Sequence, residues 1–200
     1  MNKTLQESVK NLEELFDLFN DYLYESELER PVISIQQDKT GHAYGWCTTY
    51  KAWETSDGEE YYEINMCAEY MRRSFEEVCG TLLHEMAHLY NLMHGIKDCN
   101  ASQYHNKKFK EAAEAHGLNV EKTKYGWSKT TLNDDLKEYV KNLNYTFDIS
   151  RKADPKKIRI KSKKKYHYYK CPCCDSKCYS VQTLNITCED CNISFEEYNK

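Results

Sequence analysis

Residues 74–95 read SFEEVCGTLLHEMAHLYNLMHG, and this stretch decides the fold. Ser74 with Glu77 three residues on is a capping-box pattern, and Gly95 stands where a left-handed residue would end a helix. Between them, Phe75, Val78, Cys79, Leu82, Leu83, Met86, Leu89, Tyr90 and Met93 form a broad apolar face at helical spacing. A helix this apolar is expected at the centre of a domain. Gly80 inside it costs about 1 kcal/mol relative to Ala, which points to close packing there.

The same helix carries His84-Glu85-Met86-Ala87-His88, an H-E-x-x-H pattern. At about 100° per residue, positions i and i+4 differ by only ~40°. Both imidazoles therefore project to one side, opposite the centre of the apolar face. Two nitrogens so placed can bind one Zn²⁺, and Glu85 can reach a water at the ion's open position. Zinc lowers the pKa of that water towards ~7, and a carboxylate beside it can act as general base and then pass the proton to a leaving amine. Two chance histidines on a helix are the bland reading; cap, helix and face all argue against it.

A catalytic site needs a third protein ligand, and His94, His105, His116 and Glu111 are the candidates. His94 gives a spacing one residue from the metzincin pattern, with Asn91 in place of the turn glycine. Metzincins also need a downstream Met-turn, and no methionine follows Met93. His105 is reached by a loop of about ten residues after Gly95, at the start of a further helix expected from Ser102 to about His116. It is the favoured third ligand. His116 and His42 read as surface or packing residues.

Upstream, Leu5, Val9, Leu12, Leu15, Phe16, Phe19 and Leu23 predict an amphipathic helix over about residues 4–25. Pro31 opens a β-rich stretch. Val32, Ile33 and Ile35 suggest one strand, residues 43–53 a second, and residues 61–67 a third. The last two are expected to pair as a hairpin around Asp57-Gly58. Residues 131–142 read as a helix with Leu132, Leu136, Val140 and Leu143 as its stripe.

Charge and cysteine are both segregated. Residues 1–150 carry 16 Lys+Arg against 26 Asp+Glu, residues 151–165 carry 9 against 1, and residues 166–200 carry 3 against 5. Six of the ten cysteines crowd the last thirty residues. There Cys171-x-x-Cys174 and Cys188-x-x-Cys191 are two knuckles separated by 13 residues. Two such pairs predict a tetrahedral four-thiolate zinc ribbon, structural because no position is left open. Asp175 and Asn192 follow the knuckles where a ribbon usually turns at glycine, and both residue types tolerate left-handed backbone. Cys173 and Cys178 are surplus and leave the register open. A segment this short cannot build a sufficient core alone, so metal explains its folding.

The basic strap RKADPKKIRIKSKKK, with a short strand conceivable at residues 158–160, is followed by Tyr166, His167, Tyr168 and Tyr169. Lys156, Lys157, Arg159, Lys161, Lys163, Lys164 and Lys165 are the expected phosphate contacts, and the aromatics can stack on unpaired bases. A solvated linker is the competing reading. Mean hydropathy is −0.87, no uncharged stretch approaches the roughly 18 residues of a membrane span, and the first residues lack a signal-peptide pattern. A cytoplasmic monomer with no membrane partner is the expectation.

Taken together, TLLHEMAHLYN, GIKD, YHNKKFKEAAEAHGL, YGW at 125–127, LFNDYLYESELERPVISI, AYGWCTTYKAW and the terminal cysteines resemble the SprT-like/Spartan metalloprotease family over about residues 8–198. The resemblance implies zinc held by His84, His88 and His105, with Glu85 as catalytic base. Eukaryotic relatives degrade proteins crosslinked to DNA; by analogy DNA and a protein or peptide substrate are the expected partners. The expected architecture is α+β. A zincin-like metalloprotease domain (residues 1–150) has an N-terminal helix, a small antiparallel sheet, the H-E-x-x-H helix and following helices. A basic linker (151–165) and a zinc ribbon (166–200) follow. One catalytic and one structural Zn²⁺ are expected. A non-proteolytic DNA- or transcription-associated module with two structural zincs, and a small-substrate metallohydrolase, are the alternatives.

Overall fold

In the computed structural model, residues 4–38, 43–152 and 165–199 are described. Two compact units divide the chain, residues 1–153 and 154–200. Lys156, Lys157, Arg159, Lys161, Lys163 and Lys164, the strand expected at 158–160, and His42 lie outside the described residues.

The first unit is built around α2 (Phe75–Met93). Its capping box forms as the sequence requires: the Ser74 side chain accepts from the Glu77 N–H, and the Glu77 side chain accepts from the Ser74 N–H. At the other end Gly95 has φ +67°, where glycine carries no Cβ penalty. Val78, Cys79, Leu82, Leu83, Met86 and Leu89 are fully buried. The helix touches α1 (Leu5–Tyr24), α3 (Lys107–Ala115), α4 (Asp134–Lys141) and strands of two sheets. Helix α1 is capped by Thr4, which accepts from the Glu7 N–H, and buries Leu12, Leu15, Phe16 and Phe19. Asn20 then clamps the turn that follows, donating to the Leu28 carbonyl and accepting from the Leu28 N–H, both at 3.0 Å.

The main sheet has the order β1-β5-β2, from β1 (Val32–Gln36), β5 (Glu63–Cys67) and β2 (Gly45–Cys47). It is mixed, not antiparallel as the sequence suggested, because β5 enters between the other two strands and runs parallel to β1. Residues 37–62 are long enough to make that crossover. Ile33, Ile64 and Met66 belong to the core that also includes α1 and α2.

The hairpin expected between residues 43–53 and 61–67 pairs as foreseen but is broken in two. Thr48 exchanges hydrogen bonds with Glu63, and pairing resumes only where the Ala52 N–H donates to the Tyr61 carbonyl. Residues 49–51 bulge between them. Beyond the bulge β3 (Trp53–Glu54) and β4 (Glu60–Tyr61) form a short ladder closed by Gly58 at φ +87°.

Two further expectations are corrected. An antiparallel hairpin, β6 (Leu118–Thr123) with β7 (Gly126–Leu132), occupies a region the sequence left unassigned. It pushes the start of α4 from Thr131 to Asp134, where the Asn133 side chain caps it by accepting from the Leu136 N–H. Gly80 is not a tight approach either: a Cβ there would meet only a Leu132 methyl at 3.8 Å, an ordinary contact. The close backbone approaches that matter to the site are at Gly45 and Gly126, described below.

The second unit holds β8 (His167–Lys170), β9 (Lys177–Ser180), β10 (Thr187–Cys188), β11 (Ile193–Ser194) and β12 (Glu196–Tyr198). A three-stranded sheet, β12-β8-β9, accompanies the β10-β11 hairpin. Among the described residues its buried side chains are Tyr169, Cys171 and Cys188. So small an apolar interior supplies little stability without a further constraint.

Phe16 sits at the centre of the first unit, fully buried in the core that also contains α2. Phe16→Ala is expected to cost about 3–5 kcal/mol of folding stability, read as a shift of the urea midpoint with an unchanged m-value.

Candidate metal centre

Helix α2 turns His84 and His88 to the same side, and their rings lie 5.0 Å apart. His105 joins them from outside any helix. The expected start of α3 at Ser102 is corrected here: the cap is Asn106, whose side chain accepts from the N–H groups of Lys108 and Phe109. His105 instead occupies a pair of β-bridges, to Cys99 on one side and Gly126 on the other. Its N–H donates to the Tyr125 carbonyl at 2.9 Å and its carbonyl accepts from Trp127 at 3.0 Å. Gly126 has φ +83°, and a Cβ at that position would fall 2.1 Å from the His105 carbonyl oxygen. Only glycine lets the hairpin approach closely enough to hold this histidine.

The result is a convergence of three Nε2 atoms, His105 to His84 at 3.2 Å and His105 to His88 at 3.1 Å. Each Nδ1 faces away to a partner. His84 Nδ1 meets Thr130 Oγ1 at 3.0 Å, His88 Nδ1 meets Asp98 Oδ2 at 2.7 Å, and His105 Nδ1 meets the Tyr125 carbonyl at 3.4 Å. A carbonyl and a carboxylate only accept, so His88 and His105 carry their protons on Nδ1. Their Nε2 lone pairs then point at one another, an arrangement a bound cation satisfies. Burial and the neighbouring rings hold His84 well below the usual histidine range, and burial with His88 holds His105 at about 4. Both are therefore neutral and ready to ligate. The three could hold a metal ion.

Asp98 is fixed in turn. The Asn91 side chain donates to the same Oδ2 at 3.1 Å, and the Asn106 N–H donates to the Asp98 main-chain carbonyl at 2.9 Å. Burial works against its charge, but the hydrogen bonds from His88 and Asn91 outweigh it and keep the carboxyl below its ordinary value.

Glu85 is 5% exposed and points towards β2. Burial raises its carboxyl to about 7, opposed by His88 and by a hydrogen bond from the Cys47 main chain. Gly45 makes room for it: a Cβ there would sit 3.1 Å from Glu85 Oε1 and 2.9 Å from the Asn65 carbonyl. A carboxyl poised near neutrality beside three convergent imidazoles can take up and release a proton.

Of the other candidates, His94 caps α2 and turns to Glu27, with Nε2 at 2.9 Å from Oε1. His116 stacks on Tyr24 with ring centres 3.9 Å apart. Neither joins the triad, and Glu111 lines a separate surface cleft with Lys108 and His116. Asp98, Asn91, Thr130, the Tyr125 carbonyl and Gly45 were not picked out as site residues from the sequence. Asp98 had a signal in the GIKD segment; Thr130 and Gly45 had none.

In the second unit Cys171, Cys174, Cys188 and Cys191 come together as a group that could hold a metal ion. Asp175 at φ +63° and Asn192 at φ +53° make the two knuckle turns, donating their N–H groups to the Cys171 and Cys188 carbonyls. The Ser176 hydroxyl draws the Cys174 thiol down to about 6, so it ionises easily. Cys173 is exposed, and Cys178 lies in β9 opposite Tyr169. Lys165 is exposed ahead of β8.

Asp98→Ala removes the acceptor that orients His88. It is expected to weaken metal binding by roughly 10–100-fold, measured by competition with a chromophoric chelator. Because His84 and His105 are held neutral, loss of metal on acidification in the unsubstituted protein should have its midpoint below the ~6.5 of a free imidazole.

Searches of curated proteins and of solved structures find no significant match. Among the described residues no helix is long and apolar enough to cross a membrane. The model of the SprT-like family matches residues 12–131. That span takes in His84, Glu85, His88, Asp98, His105 and Thr130 and stops short of the basic strap and the cysteine cluster. Covering more than half of the chain, the match means that this protein belongs to the SprT-like family.

Proposed function

We propose that the protein is a zinc-dependent endopeptidase of zincin-like architecture, with residues 1–150 as its metalloprotease domain. The observation that carries this reading is the convergence of the Nε2 atoms of His84, His88 and His105 with a buried carboxyl, Glu85, in electrostatic reach of His88. Three imidazoles suit zinc and leave one position open. A zinc ion there supplies a Lewis acid that acidifies water and polarises a carbonyl. Glu85, raised to about 7, then serves as the base that removes the proton from the attacking water and returns it to the departing amine. Asp98, Thr130 and the Tyr125 carbonyl keep the three rings aimed.

An extended peptide fits the reading best. Strand β2 is at the edge of its sheet, and Gly45 brings its backbone beside Glu85. A substrate strand pairing there would receive main-chain hydrogen bonds and present its carbonyls at regular intervals.

The second unit is read as a zinc ribbon (166–200) that, with the strap (151–165), binds nucleic acid and brings the peptidase to DNA-associated or DNA-crosslinked proteins. Its sheet carries a row of tyrosines: Tyr179 lies 5.5 Å from Tyr166 and 6.2 Å from Tyr168, and Tyr168 lies 6.1 Å from Tyr198. Such rings offer faces to unpaired bases. A second structural zinc in this unit and a cytoplasmic, monomeric protein complete the proposal. Against the reading as a non-proteolytic module with two structural zincs stands Glu85 itself: a purely structural site gains nothing from burying a carboxyl at the cost of its charge.

Glu85→Gln is expected to retain zinc and lose peptidase activity by at least ~10²-fold; near-normal turnover on a casein or peptide substrate, with metal content confirmed, would remove the mechanism. Replacing Lys156, Lys157, Arg159, Lys161, Lys163 and Lys164 together by Gln in the full chain should abolish most affinity for single-stranded DNA. The slope of log affinity against log salt should fall by about 0.7 for each phosphate no longer neutralised. Unchanged binding in a fluorescence-anisotropy titration would dissociate the strap from nucleic acid.

A further inference from the structure

The segment that holds His105 is also the one basic region of an otherwise acidic unit. Residues 104–130 carry six lysines and three glutamates, where the rest of residues 1–150 carries ten basic and 23 acidic side chains. Two of those lysines are neutralised, Lys129 by Glu121 at 2.9 Å and Lys110 by Glu114 at 3.5 Å. Among the described residues, no carboxylate lies within ion-pair distance of Lys107, Lys108, Lys122 or Lys124, and all four are exposed. Like charges so placed repel one another, and in a chain with this excess of acid their lack of carboxylate partners is conspicuous.

The lysines are interleaved with aromatic rings. Trp127 lies between Lys110 of α3 and Lys122 of β6, whose Nζ atoms are 4.5 and 5.8 Å from its ring centre. Lys124 Nζ lies 4.8 Å from the Tyr125 ring. Tyr125 is 47% exposed and Tyr104 37% exposed, large rings turned to water beside the His105 bridge. Nothing in the metal centre uses these side chains, because His105 is held by the main chain of 125–127.

We propose that this surface, formed by Lys107, Lys122 and Lys124 with Tyr104 and Tyr125, binds single-stranded nucleic acid on the peptidase unit itself, next to the third histidine. Unpaired lysines neutralise phosphates, and exposed rings stack on bases that are not paired. An acidic peptide would satisfy the lysines and leave the rings without a planar partner. The inference builds on the proposed role at nucleic acid and adds a contact independent of strap and ribbon. Its consequence is positional: a strand lying here passes the loop that carries a metal ligand, so a protein attached to that strand is delivered to the cleft and not merely to the molecule.

The test uses the zinc-loaded full chain and a labelled oligothymidylate, with Lys122→Glu/Lys124→Glu introduced both into the unsubstituted protein and into the chain whose strap lysines are Gln. Zinc content and DNA-free peptidase activity verify that each variant is intact. Lys107→Glu serves as an independent probe on α3. The expected result is residual binding in the strap-neutralised chain that falls on the order of 10-fold with the Lys122/Lys124 pair and by a smaller factor with Lys107→Glu, with a salt slope shallower by about 1.4 when two fewer phosphates are neutralised. Lysine-to-arginine variants at the same positions should retain it. Equal affinity and slope with and without the reversals overturns the proposal. So does a loss confined to cleavage of a peptide rich in Asp and Glu over a neutral one, which would make the surface a substrate subsite. Since binding is measured at equilibrium, a chain without any peptidase activity would defeat the enzymatic reading while leaving this result intact.

Discussion

The Nε2 of His105, about 3 Å from those of both His84 and His88, puts three imidazole nitrogens where they cannot all carry protons, and the rest of the first unit is arranged around that constraint. Each ring turns its other nitrogen, Nδ1, away to a hydrogen-bond partner. The partners come from three places: Thr130 on β7, Asp98 in the loop after α2, and the Tyr125 carbonyl at the hairpin turn. The helix supplies two rings by its own periodicity, but everything that aims them is tertiary. Burial does the rest, since a dry surrounding disfavours the imidazolium at His84 and His105.

The same dryness acts in the opposite sense on Glu85. Burial penalises charge of either sign, so it pushes a carboxyl up and an imidazole down. His84, Glu85 and His105 thereby approach the protonation states that metal ligation and proton transfer require, without a dedicated charged partner for each. Gly45 is part of this device. By admitting the β2 backbone to within van der Waals distance of the carboxyl, it both removes solvent and lets the Cys47 main chain keep a hydrogen bond to the ionised form.

Much of this was legible in the sequence where the signal is local. The capping box at Ser74, the apolar face of α2, the glycine at its end and the two knuckle turns at Asp175 and Asn192 are set by neighbouring residues. His105 could be chosen from chain reach together with the family resemblance. What the sequence hid depends on distant partners. The β6–β7 hairpin reads as polar, because Asn119, Glu121, Lys129 and Thr131 alternate with few apolar residues and its one covered face is narrow. Its turn lacks an Asn-Gly or Asp-Gly pair. The cap of α3 was read at Ser102, whereas the side chain that reaches the free N–H groups belongs to Asn106. Thr130 and Gly45 are ordinary letters until the chain has folded. The parallel placement of β5 beside β1 follows from a crossover that no local pattern announces.

The way His105 is held has an evolutionary implication. Its attachments run through the main chain of residues 125–127, and the only side-chain requirement there is the absence of one, at Gly126. Positions 125 and 127 can therefore drift in identity while the ligand stays in place. A lineage is free to remodel the surface over the third histidine, residue by residue, under selection for whatever that surface touches, and the chemistry beneath it is insulated from the search.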